Sequence, residues 1–227
     1  MSDSFLDCTA LTSVALFDTS NVSAINRMFK GCSALTSVPL YPISNTVTST
    51  QNMFSGCSGL ISVPAFNLSH VTNLSNMFSY CTNLTSVPEF DLSNASNLSN
   101  MFSYCTNLTS VPQFNLSNAS NLGSMFRNCI NLTTVPQFNL SNVTSLNGAF
   151  QYCSSLSSIP LFNLPKVTIV SNAFRYCYNV NNGALALYNS LSTQAIPPTS
   201  YSQTFRNCGR DTVNGAAELA QIPSTWK

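Results

Sequence analysis

Nine cysteines recur at an almost fixed interval: Cys8, Cys32, Cys57, Cys81, Cys105, Cys129, Cys153, Cys177 and Cys208, with spacings of 24, 25, 24, 24, 24, 24, 24 and 31. Three residues before each stands a phenylalanine: Phe5, Phe29, Phe54, Phe78, Phe102, Phe126, Phe150, Phe174 and Phe205. Leucine follows three residues after, from Leu11 to Leu156, and valine six after, from Val14 to Val135. A unit this short cannot bury its own apolar positions and must stack them on copies of itself, which is a solenoid. Residues 75–98 and 99–122 differ only by Glu89 against Gln113 and Asp91 against Asn115, as adjacent coils with nearly identical neighbours can.

Each coil has a readable plan. Leu74, Met77, Phe78 and Cys81 stand at i, i+3, i+4 and i+7, a stripe that predicts a short helix, α or 3₁₀. Ser69, Ser93-Asn94, Ser117-Asn118 and Ser141-Asn142 are its expected N-caps. The run Leu-Thr-Ser-Val predicts one short strand per coil, paired in parallel with the next, and Pro88 and its equivalents mark its end. Strands stack about 4.8 Å apart and helices roughly 8–10 Å, so the coil should curve with strands concave and helices convex. The expected fold is an α/β repeat solenoid whose core ladder runs through Phe78, Cys81, Leu84, Val87, Phe102, Cys105, Leu108 and Val111. Residues 1–177 read as the solenoid and 178–227 as a divergent last repeat and cap. Gly183 stands where valine would, Ala184–Ser192 and Ala216–Gln221 suit added helices, and Trp226 suits an end plug.

The Phe-x-x-Cys-x-x-Leu-x-x-Val/Ile unit, preceded by Met or Ala, resembles the BspA-like leucine-rich repeats, closest to their Met-Phe-x-x-Cys surface protein branch, over residues 4 to 177. The resemblance implies a right-handed leucine-rich-repeat coil and a non-enzymatic surface or adhesive role. Short repeat proteins of this kind are also encoded by bacteriophages, and Gly215–Lys227 looks like the tails of those versions.

Charge excludes some functions. Only 7% of residues are charged and the formal net charge is +1, so no general pull toward nucleic acid or anionic membrane exists. No run is apolar enough to span a bilayer, and Met1–Leu6 lacks a secretory pattern. The chain enters in mid-coil, so the apolar edge of the first coil is covered either by its own residues or by a partner. A column of parallel cysteines does not converge on a metal, nor suit disulfides, and reads as buried reduced thiols. No cofactor or metal is expected. His70 is the only histidine, the seven carboxylates are scattered, and no phosphate loop or nucleophile elbow occurs, so catalysis finds no support.

The candidate contact surface is a column just before the cysteines, Tyr80, Tyr104, Tyr152 and Tyr176, together with Glu89, Gln113 and Gln137 after the strand proline. Lys30, Arg127, Arg175 and Arg206 stand one position before that column, where the plain reading is complementarity to a helix C-terminus. Phe17, Tyr41, Phe66, Phe90, Phe114, Phe138 and Phe162 form a second aromatic column, core or exposed platform, and Thr-Ser pairs make hydroxyl rows along the expected strands. The expected function is a structural or adhesive protein on a phage virion surface, as decoration, tail or fibre-associated component, contacting other virion or cell-surface proteins or host-surface glycan. The alternative is a module of a bacterial cell-surface adhesin.

Overall fold

The computed structural model describes all 227 residues. Successive coils stack in register, and 65 residues form one continuous apolar core. Phe78, Cys81, Leu84, Phe102, Cys105 and Leu108 are wholly buried, with Val87 and Val111 at the margin of the core. The Phe-x-x-Cys rings form an unbroken column: Phe54, Phe78, Phe102 and Phe126 follow one another at 5.6–5.7 Å, nearly parallel. Phe66, Phe90, Phe114, Phe138 and Phe162 are equally buried and stack beside them, so this second column is core and not a platform.

The expected helix does not form within the coils. Its place is taken by consecutive tight turns, in which the N–H groups of Met77, Ser79, Cys81 and Leu84 donate to the carbonyls of Leu74, Asn76, Phe78 and Cys81. The intervening N–H groups of Leu74, Asn76, Phe78 and Tyr80 donate to Asn97, Ser99, Met101 and Ser103 of the next coil, at 2.8–2.9 Å. Two left-handed residues four apart, Asn76 and Tyr80 or Asn100 and Tyr104, occur in each coil and forbid a right-handed helix. The i, i+3, i+4, i+7 stripe is satisfied by the turns instead, since it requires only that the same side chains face inward. Because backbone bonds join coils on this side too, the wide helical layer invoked for curvature is not there.

The expected strand is also reduced. Leu84 spends its N–H on the local turn and Pro88 has none, which leaves Thr85, donating to Ile61 at 3.2 Å, as the ladder bond of that stretch. Sustained parallel pairing runs instead through Ser49, Asn73, Asn97, Asn121, Ser145, Ile169 and Ser200, one bridge per coil. Nor do the serines and asparagines cap helices. Asn94, Asn118 and Asn142 donate through Nδ2 to the carbonyls of Ser69, Ser93 and Ser117 in the preceding coil. The hydroxyl rows are partly consumed in the same way: Thr85, Thr133 and Ser157 donate to Ile61, Thr109 and Thr133.

At the first coil, Phe5 stacks on Phe29 at 5.2 Å and is half-buried, while Leu6 and Leu16 face solvent. Toward the other end the Phe column continues to Phe205, 6.0 Å from Phe174. Helix α1, Ala184–Ser192, packs against α2, Val213–Gln221. Glu218 of α2 accepts the N–H groups of Gly183 and Leu185, serving as the cap that α1 lacks locally. Trp226 is buried against Tyr188, Tyr201 and Phe205, and its carbonyl accepts the Phe205 N–H where a further coil would otherwise bond.

Candidate functional site

The residue before each cysteine ends a turn and takes a left-handed conformation. Gly31 and Gly56 hold φ near 77°, Asn128 59° and Asn207 56°. Glycine and asparagine are natural there, but Tyr80, Tyr104, Tyr152 and Tyr176 adopt the same conformation, with φ of 62–65°. A bulky side chain at such a φ costs on the order of 1–2 kcal/mol. The sequence thus carries a conformational cost at four coils to present an aromatic ring, and Tyr80 remains 51% exposed.

The tyrosines are brought together as two pairs. Tyr80 and Tyr104 stack at 4.4 Å and 8°, and Tyr152 and Tyr176 meet at 4.7 Å and 31°. Arginines frame them. Arg127 lies over Tyr104 at 5.9 Å, Arg175 and Arg206 over Tyr176 at 4.6 and 5.9 Å, and Arg210 over Tyr178 at 4.2 Å. The helix-dipole reading of these cations falls with the helix: they are held by ring faces. Arg175 also donates to the Tyr176 hydroxyl at 2.9 Å, and this bond, with the neighbouring arginines, lowers the Tyr176 pKa despite partial burial. The ion pairs are Arg27–Asp3 and Arg210–Asp211, so Arg127, Arg175 and Arg206 have no carboxylate partner.

Glu89, Gln113 and Gln137 lie elsewhere on the coil and do not join the tyrosines. They are exposed, and Gln113 and Gln137 each donate to the backbone of the following coil, at Gln137 and Leu161. Glu89, having no donor, cannot do the same. With Asp91, Asn115 and Asn139, Glu89 and Gln113 line an open groove of about 560 Å³. Hydrogen bonding from the Ser93 side chain, and then from the Ser93 N–H, holds the Asp91 carboxylate below the usual range.

The cysteine column faces inward. Each thiol from Cys32 to Cys177 donates to the carbonyl of the phenylalanine in the preceding coil, at 3.0–3.1 Å, and Cys8 alone is exposed. Burial pushes these thiols up, Cys32 to about 11 and Cys105 further. The participation of Arg210 and Tyr178, and the left-handed backbone, were not anticipated. The second had a signal in the Gly31, Gly56, Asn128 column. No helix is long and apolar enough to cross a membrane.

The family described as "Mycoplasma protein of unknown function, DUF285" matches three overlapping stretches, residues 1–110, 48–159 and 83–188. Among solved structures, a leucine-rich repeat protein of T. pallidum is 23% identical with a TM-score of 0.53, over 77% of this chain and 78% of that one. A leucine-rich repeat protein from Eubacterium ventriosum is 22% identical, TM-score 0.46, over 63% of this chain and 41% of that one. A leucine rich cell surface protein from Faecalibacterium prausnitzii is 20% identical, TM-score 0.40, over 97% and 71%. No curated protein matches. The T. pallidum likeness shows a leucine-rich repeat fold, and the matched stretches together span residues 1–188: the chain belongs to the DUF285 family.

Proposed function

We propose that the chain is a non-enzymatic recognition protein and that its contact surface is the ridge of Tyr80, Tyr104, Tyr152 and Tyr176 with its arginines. The observation that carries this reading is the left-handed backbone at all four tyrosines. Glycine or asparagine would relieve it, as at Gly56 and Asn128, so the rings are kept for something other than folding. Tyrosine and arginine are also the residues that dominate binding energy where surfaces meet. Catalysis lacks a supporting constellation: His70 is isolated and Asp91 is engaged with Ser93. Residues 178–227 serve as the end cap, with Trp226 closing the stack.

The finer reading is a phage virion surface component, supported by the likeness of Gly215–Lys227 to phage-encoded repeat proteins. A bacterial cell-surface adhesin module is the second reading, supported by the Met-Phe-x-x-Cys resemblance. Pull-down of surface proteins and glycans with the wild-type chain and with a Tyr80→Ala, Tyr104→Ala double variant tests the contact surface. Loss of capture in the folded double variant is expected, and retention sinks the ridge. Sedimentation with purified particles, against recovery in a bacterial surface fraction, separates the two settings.

A further inference from the structure

The tyrosine column is interrupted once. Tyr80 and Tyr104 occupy adjacent coils, Tyr152 and Tyr176 occupy adjacent coils, and between the pairs the same register position is Asn128. Stacked coils advance by about 4.8 Å, so Tyr104 and Tyr152 stand about 9–10 Å apart across that gap. Offset ring pairs sit with centroids about 4.5–7 Å apart. One six-membered ring placed over Asn128 would therefore stack on Tyr104 and Tyr152 together and complete a file of five rings.

The lining of the notch says what kind of ring fits. One residue before Asn128, Arg127 lies over the Tyr104 ring, 5.9 Å from its centroid, so a guest ring displaces the guanidinium from that face toward its own acidic group. Arg127 forms no ion pair, and its buried Nε–H has no acceptor in the protein. Arg175 and Arg206, also without carboxylate partners, stand at the far end of the second pair. The Asn128 amide offers both a donor and an acceptor. Hydroxyls on the guest suit the amide, and an acidic group suits the arginines.

We infer that the notch at Asn128, between Tyr104 and Tyr152, is a subsite for one sugar ring of an acidic polysaccharide, with Arg127 pairing its carboxylate or sulfate. This rests on the ridge being the contact surface and adds a position and a ligand class to it. Since three coils separate equivalent members of the two pairs, a polymer laid along the ridge meets further tyrosine and arginine contacts on both sides of the notch.

Asn128→Tyr fills the gap with the side chain that the same register already accepts at four coils, so the variant should fold. Binding of the full chain to polygalacturonate, heparin and neutral dextran is measured by calorimetry, with circular dichroism as the folding control. The wild type is expected to bind at least one acidic polymer and not dextran. Binding of polygalacturonate shows that carboxylates suffice, whereas binding of heparin alone, which carries both groups, points to sulfate. Asn128→Tyr and Arg127→Gln should each weaken that binding by about tenfold or more. Wild-type affinity in folded Asn128→Tyr, equal binding of dextran, or no binding of either acidic polymer overturns the inference. If the Tyr80→Ala, Tyr104→Ala variant loses binding while Asn128→Tyr keeps it, the ridge stands and the notch falls. If neither variant loses it, both fall.

Discussion

The thiol of Cys105 donates to the carbonyl oxygen of Phe78 one coil earlier, at 3.1 Å, and that same carbonyl accepts the N–H of Cys81. Cysteine is small enough to pass between phenylalanine layers and still carries a donor for the carbonyl's second lone pair. Repeated from Cys32 to Cys177, this contact ties each coil to the one before it.

Thiol accessibility follows. In the native chain at mildly alkaline pH, an aromatic disulfide reagent should modify one equivalent, at Cys8, and nine after denaturation in urea. Burial, and secondarily the neighbouring thiols, raise the pKa of Cys81 and Cys105 and keep them as unreactive thiols. Two or more native equivalents would show that the column opens.

Phe102→Ala should destabilise the chain by about 3–5 kcal/mol in urea unfolding. Phe78 and Phe126 flank it at 5.7 and 5.6 Å and Phe114 lies beside it, each fixed by its own layer, so none can collapse into the cavity. A cost below about 1 kcal/mol would mean that the column is not tightly packed.

Tyr80→Gly and Tyr80→Ala remove the same ring contact with Tyr104, yet they should differ. Alanine keeps the left-handed strain that glycine relieves, so the glycine variant should be more stable by about 1 kcal/mol. Equal melting temperatures would remove the strain argument for the ridge.

Two tyrosines should titrate on either side of the usual value near 10. Tyr176, hydrogen-bonded by Arg175, is lowered, and Tyr41, desolvated in the core, is raised to about 12. The lowered group adds stability above its unfolded value near 10, and loses it as pH falls through the folded value. For the raised group, the contribution is present below about 10 and lost as pH climbs toward 12. Ultraviolet titration should detect an early tyrosinate that Arg175→Gln returns toward 10; an unchanged profile in that variant would discount the Arg175–Tyr176 bond.

The core was legible because burial is periodic in this chain. Phe78, Cys81, Leu84 and Val87 recur at every turn of the coil and all face inward. The tyrosine column could likewise be named by its place before cysteine. What misled was the stripe from Leu74 to Cys81, since a helix and a series of turns put the same side chains inside. Gly31, Gly56, Asn128 and Gly148 carried the correcting signal, but Tyr80 and Tyr104, which favour neither turn nor left-handed backbone, obscured it.

The period of 24 residues by itself determined that the chain stacks, which side chains fill the core, and that the cysteines form a column. Only the tertiary structure decided where the backbone hydrogen bonds go. The Tyr80 N–H bonds to Ser103 of the next coil, and no local propensity encodes a partner 23 residues away. That non-local ladder replaces the helix, fixes tyrosine in the left-handed region, and sets the coil spacing that pairs the rings and leaves the gap over Asn128.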